Sequence, residues 1–147
     1  MTNDLYRLVY YSLNKVCGSS ADLADAVSAI LASSRVNNAR VGITGALIFN
    51  KGVFAQVLEG NLVELERTFE RIQRDPRHSD VQVLAFEPVP SRGFPYWSMG
   101  FVGRSRQDEV ILQHVGRDSG FEPKRLEGER IFEIMRAIAV EEENCVA

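Results

Sequence analysis

The spacing of apolar residues changes several times along the chain, and each change marks an element. Leu5 to Tyr11 (LYRLVYY) is dense in aromatic and branched residues, the mark of a buried strand. Ser19 and Ser20 then offer helix caps, and Leu23, Val27, Ile30, Leu31 and Ser34 recur at three- and four-residue steps. That spacing predicts one face of a helix reaching about Arg35. Ile43 to Phe49 and Val53 to Leu58 flank Asn50-Lys51-Gly52 and read as a β-hairpin. Asn61, with Glu64 three residues later, forms a capping pair for a second helix. Leu62, Leu65, Phe69 and Ile72 supply its buried stripe, and Asp75-Pro76 stops it. Val81 to Phe86 predicts a fourth strand closed by Pro88 and Pro90, and Trp97 to Val102 a short fifth.

The order β-α-β-β-α-β-β is that of an α+β sandwich, the split βαβ arrangement of ferredoxin-like folds, with both helices on one face of the sheet. Residues 1–103 make up this unit. In the tail, Val110, Ile111 and Val115 predict a short helix, and Ile131, Ile134, Met135 and Ile138 a clearer amphipathic one. Gly116 to Gly128, with Pro123 inside, reads as the loop between them. Residues 104–147 are too few for a catalytic domain. They are expected to form a helical extension covering the other sheet face, with no separate effector domain.

Composition narrows the function classes. The 147 residues, 45% hydrophobic and 25% charged, suit one soluble globular domain. A formal net charge of −3 argues against general binding to nucleic acid or membrane surfaces. Cys17 and Cys145 have no metal-ligand spacing and cannot build a disulfide framework, which fits a reducing cytoplasm. No secretory pattern and no membrane-length apolar run is present, so a cytoplasmic location is expected.

Five positions carry candidate chemistry. Gln56 shares a strand face with Phe54 and Leu58, so its amide is expected to be buried. A buried amide costs on the order of a few kcal/mol unless its hydrogen bonds are met. Pattern alone leaves open a solvent-facing glutamine on an edge strand. Tyr10 shares a face with Tyr6 and Leu8, where most tyrosines are core residues with a satisfied hydroxyl. Asn38, in Val36-Asn37-Asn38-Ala39-Arg40, reads by default as a cap or turn after the first helix. Trp97 and Met99, near the last strand, are ordinary core types.

Together these positions and their surroundings resemble the BLUF family of flavin-binding blue-light sensors. The resemblance rests on Leu8 to Ser12 (LVYYS), Asn38-Ala39-Arg40, Gly42 to Leu47 (GITGAL) and Gly52 to Gly60 (GVFAQVLEG). Arg74 to His78 (RDPRH) and Trp97-Ser98-Met99 extend it, in order and spacing, across roughly residues 5 to 103. The ITGAL and Q-x-L-E-G blocks are its most specific parts. Tyr11 stands where relatives often carry arginine, and Asn37 where they vary; neither change removes a photochemical group.

The resemblance implies FAD as cofactor, with FMN or riboflavin tolerated, and a photoreceptor rather than an enzyme. It implies that Tyr10 gives an electron and a proton to the excited flavin, and that Gln56 relays them between phenol and ring. Asn38, with Asn37 beside it, would bond the polar edge of the ring. Ile30 and Ile72 would clamp its faces, and Arg77 and His78 would lie near the ribityl or phosphate portion. Trp97 and Met99 would act in switching and output. The chemistry is coherent, because an amide both accepts and donates, and its rotation or tautomerisation re-addresses bonds while the flavin stays oxidised. The signal is expected to leave through an unidentified protein partner or a homo-oligomer, by way of a fifth strand lying beside the Gln56 strand.

Three rivals fit less well. A flavin-dependent oxidoreductase would need a second-substrate site, yet the chain shows neither paired carboxylates nor a dinucleotide glycine fingerprint. A ferredoxin-like RNA-binding module would display aromatics amid basic charge. An acylphosphatase-like hydrolase would need a phosphate-cradling loop, and none is evident.

Overall fold

The computed structural model describes residues 5–14, 20–50, 53–75, 78–95, 97–102 and 121–145. The elements are β1 (Leu5–Asn14), α1 (Ser20–Val41), β2 (Thr44–Asn50), β3 (Val53–Asn61), α2 (Leu62–Gln73), β4 (His78–Pro88), β5 (Gly100–Val102) and α3 (Phe121–Cys145). The sheet order is β4-β1-β3-β2-β5, the ferredoxin-like order with one added edge strand. β1 runs antiparallel to both β3 and β4, and β5 runs parallel to β2.

Alternation along the central strands sorts side chains between two cores. Leu8, Tyr10, Phe54 and Leu58 pack with Val27 and Leu31 of α1 and Leu65 of α2. Val9, Ala55 and Val57 point the other way and pack with Ile131, Met135, Ile138 and Ala139 of α3. Asn61 caps α2 as its sequence predicts, its side chain accepting from the Val63 N–H at 2.9 Å and the Glu64 N–H at 3.4 Å. No helix among the described residues is long and apolar enough to cross a membrane.

Several expectations require correction. α1 continues to Val41, so Asn37 and Asn38 lie within its last turns and not after it. The apolar stripe fades at Ser34, but its face continues through Asn38, seven residues beyond Leu31. The helix stops at Gly42, whose φ of 74° suits glycine. There the Ile43 N–H returns to the Asn38 carbonyl at 2.9 Å, closing a Schellman-type end.

β5 begins at Gly100, so Trp97 and Met99 precede the strand. It also pairs with β2, not with the Gln56 strand, because residues 89–95 and 97–99 lie across the end of the sheet. The stretch read as a loop up to Gly128 is helical from Phe121. Pro123 stands in the first turn of α3, where no hydrogen bond is lost, and Gly128 is buried against Leu84 of β4. The short tail helix around Val110, Ile111 and Val115 and the Lys51-Gly52 turn lie outside the described residues.

Candidate functional site

Gln56 occupies the middle of the sheet, opposite Tyr10 of β1 on one side and Leu47 of β2 on the other. The strand is central and the sheet carries a packed core on each face, so the side chain is buried. The Tyr10 hydroxyl donates to Gln56 Oε1. Gln56 Nε2 donates in turn to Met99 Sδ at 3.3 Å. Thioether sulfur is a weak acceptor, so one end of this amide is held firmly and the other loosely.

The Tyr10 ring packs on Phe69 of α2, with centroids 5.4 Å apart. Burial, and secondarily the Asp75 carboxylate, push its phenol well above the ordinary value of 10.0. Tyr10 is therefore a neutral hydrogen-bond donor at physiological pH.

From α1, Asn38 Nδ2 donates to the Ser98 carbonyl at 2.8 Å, and Arg35 Nε to the Met99 carbonyl at 2.9 Å. The end of α1 thus fixes the backbone that carries Met99. Trp97, two residues earlier, turns to the other sheet face, where it packs against the α3 core and stacks with Phe94 at 5.9 Å. The pair named in the sequence is divided: Met99 lies beside the glutamine and Trp97 lies on the α3 side.

A cleft with about 850 Å³ of open space, solvent at its mouth included, lies between α1 and α2, with Tyr10 and Gln56 among its lining residues. Ile30 and Ile72 line it, as do Asn37 and Asn38. An apolar slot of this size, edged by amides, suits a flat ring system with one polar edge, which is the shape and chemistry of a flavin. Ser33, Thr68, Arg71 and Asp75 also line the cleft, although periodicity gave no reason to select them. Arg71 donates to Thr68 Oγ1 at 3.3 Å, a short-range polar pairing that only the helix geometry reveals. Arg77 lies outside the described residues, and of His78 only the backbone, at the start of β4, is described. No group of acidic, histidine or cysteine residues suited to a metal occurs among the described residues.

Comparison with known proteins agrees with this geometry. The family model for BLUF, sensors of blue-light using FAD, matches residues 5–100. The chain is similar to photoactivated adenylate cyclase subunit beta of Euglena longa, 36% identical over 69 residues, or 47% of this chain and 8% of that protein. It is similar to the blue light- and temperature-regulated antirepressor BluF of Escherichia coli (strain K12), 33% identical over 79 residues, or 53% of this chain and 20% of that protein. The match to the cyclase subunit therefore spans only a small part of that protein's length. Among solved structures, ground-state BlsA superposes with a TM-score of 0.72 at 30% identity, covering 91% of this chain and 87% of that one. Dark-state BlrB gives 0.69 at 29% identity, covering 90% and 97%. With its fold and the greater part of its length matched, the chain belongs to the BLUF family of blue-light sensors, whose chromophore is FAD.

Proposed function

We propose that this chain senses blue light through a hydrogen-bond switch centred on Tyr10 and Gln56 and passes the signal to a separate protein partner. The observation that carries the proposal is the buried relay from the Tyr10 hydroxyl to Gln56 Oε1 and from Gln56 Nε2 to Met99 Sδ. Ile30 and Ile72 would hold the faces of the flavin ring, and Asn37 and Asn38 its polar edge. FMN and riboflavin share that ring and would be accepted. When bound, the flavin supplies blue-light absorption and, once excited, oxidising power.

The protein supplies the donor and the readout. Tyr10, neutral and shielded from water, would give an electron to the excited flavin while its hydroxyl proton passes by way of Gln56, and both would return to Tyr10, leaving a neutral phenol and an oxidised flavin. The Gln56 amide then rotates or tautomerises, exchanging the positions of its donor and acceptor. Its weak bond to Met99 is the one most easily surrendered. The lit state differs from the dark state in hydrogen bonding, shifts the spectrum and decays thermally. Because Met99 leads into β5 and Trp97 packs toward α3, a change at Gln56 can bias both faces of the sheet. Output runs through Met99 and the 89–99 segment, since β2 separates β3 from β5. The two sequence relatives, a photoactivated cyclase subunit and a light-regulated antirepressor, favour a protein effector as the receiver.

A light-minus-dark absorption spectrum tests the proposal. The purified protein should carry oxidised, non-covalent FAD and show a small reversible red shift without bleaching. Tyr10→Phe should bind flavin and lose the shift; normal cycling in that variant would show that the donor is another residue.

A further inference from the structure

Glu59 stands three positions beyond Gln56 on β3, on the opposite sheet face, and is wholly buried. Its Oε2 accepts from Arg7 Nε at 2.8 Å. The Gly93 N–H donates to both carboxylate oxygens, at 2.9 and 2.8 Å, and the Phe94 N–H donates to Oε1 at 2.9 Å. A buried carboxylate is expensive to hold, and a well-packed apolar residue would serve stability as well or better. The charge instead fastens two backbone amides of a non-strand segment to the strand that carries Gln56.

That segment is tied down again at its far end. The Gly45 N–H donates to the Trp97 carbonyl at 3.0 Å, while Asn38 and Arg35 hold the carbonyls of Ser98 and Met99. Arg7 extends the fastening to α3. Its guanidinium lies 3.8 Å from the centroid of the Phe132 ring and donates to the Ser91 carbonyl at 3.3 Å. The fit there is close: a Cβ on Gly93 would stand 2.4 Å from Phe132 Cζ.

We propose that Glu59, paired with Arg7, is a positioning residue of the switch. By holding Gly93 and Phe94 it sets where the 94–99 segment runs, and so keeps Met99 against Gln56 and Trp97 beneath α3. Glu59 touches neither the cleft nor the relay and acts only through that segment. The inference rests on the reading of Gln56 as the switch.

Trp97 is the only tryptophan, so its emission reports the segment directly and without a photocycle. Glu59→Gln keeps the shape but presents an amide N–H₂ group to donors. In the folded, flavin-loaded protein it should shift Trp97 emission in the dark and change the thermal recovery rate by about threefold or more. The red shift itself should survive. In a Met99→Ala background the effect of Glu59→Gln on recovery should fall below about twofold, because the residue it positions is gone. Arg7→Lys, which keeps the charge but loses the stacking on Phe132, should move both readouts in the same direction by less, and carries the test if Glu59→Gln does not fold. Unchanged emission and recovery in a folded variant would overturn the proposal, as would an undiminished recovery effect in the Met99→Ala background. Loss of the red shift in the unmodified protein would instead defeat the switch reading, and the emission measurement would still judge the placement of the segment.

Discussion

The two faces of the sheet draw on alternate residues of the same strands, and they differ in how their polar groups are satisfied. Toward α1 and α2, Gln56 has a firm partner in Tyr10 and a weak one in the Met99 sulfur. Toward α3, on the face that carries the cluster of Ile131, Met135 and Ile138, Glu59 is gripped by a guanidinium and two backbone amides. Both side chains are buried polar groups on one strand, yet only the first has a bond it can exchange at little cost. An amide with one loose end suits a group that must change partners, and a carboxylate with both oxygens accepting firm bonds suits one that must not. The 89–99 segment connects these two regimes, with Met99 on one side and Trp97 on the other.

Removing the exchangeable group should have the largest effect. Gln56→Leu is expected to abolish the red shift while leaving the protein folded, because leucine is close in volume and the buried donor it strands, the Tyr10 hydroxyl, costs only about 1–3 kcal/mol. Met99→Ala and Trp97→Ala are expected to retain the shift and to alter recovery or signal transmission. Equal loss in all three, read by light-minus-dark spectra, would erase the contrast between Gln56 and the residues around it.

On the other face, Met135→Ala should cost about 2–5 kcal/mol, measured by denaturant unfolding, because its side chain is fully buried in the α3 cluster. The fraction that remains folded should keep a normal red shift. Loss of the shift there would mean that the two cores are not separable.

The smallest effect concerns pH. Tyr10 has its phenol raised by burial, so the folded state keeps the proton where an unfolded chain would release it. Its contribution to stability is fully present below the unfolded value of about 10 and is lost as pH rises beyond it. Across roughly pH 6 to 9 the red-shift amplitude should be flat with respect to this group. A transition in that amplitude near neutrality, accompanied by the ultraviolet absorbance change of a tyrosine losing its proton, would contradict the neutral-donor reading.

Much of this arrangement was legible in the chain, for identifiable reasons. Period-two alternation placed Gln56 with Phe54 and Leu58, and the cap at Asn61 is a local signal that needs no tertiary help. Asn38 was harder to place. The inner face of α1 turns polar at Ser34, and a reading that counts apolar residues loses the helix where the site begins. Glu59 was visible within the Q-x-L-E-G block, but its partners lie thirty or more residues away, at Gly93, Phe94 and Arg7. The position of β5 was misjudged because pairing order is set by where residues 89–99 cross, and no local pattern encodes that crossing.

The outer strands of the sheet have a consequence for how copies of this protein meet. The sheet ends in β4 on one side and β5 on the other. β4 carries register shifts against β1 between Val9 and Tyr10 and between Tyr11 and Leu13, which increase local twist. β5 is three residues long. A strand from another chain needs a long, flat run of free backbone groups on which to add, and a short or irregular edge denies it that template. Among the described residues, runaway ladder growth between molecules is therefore disfavoured at both ends of the sheet.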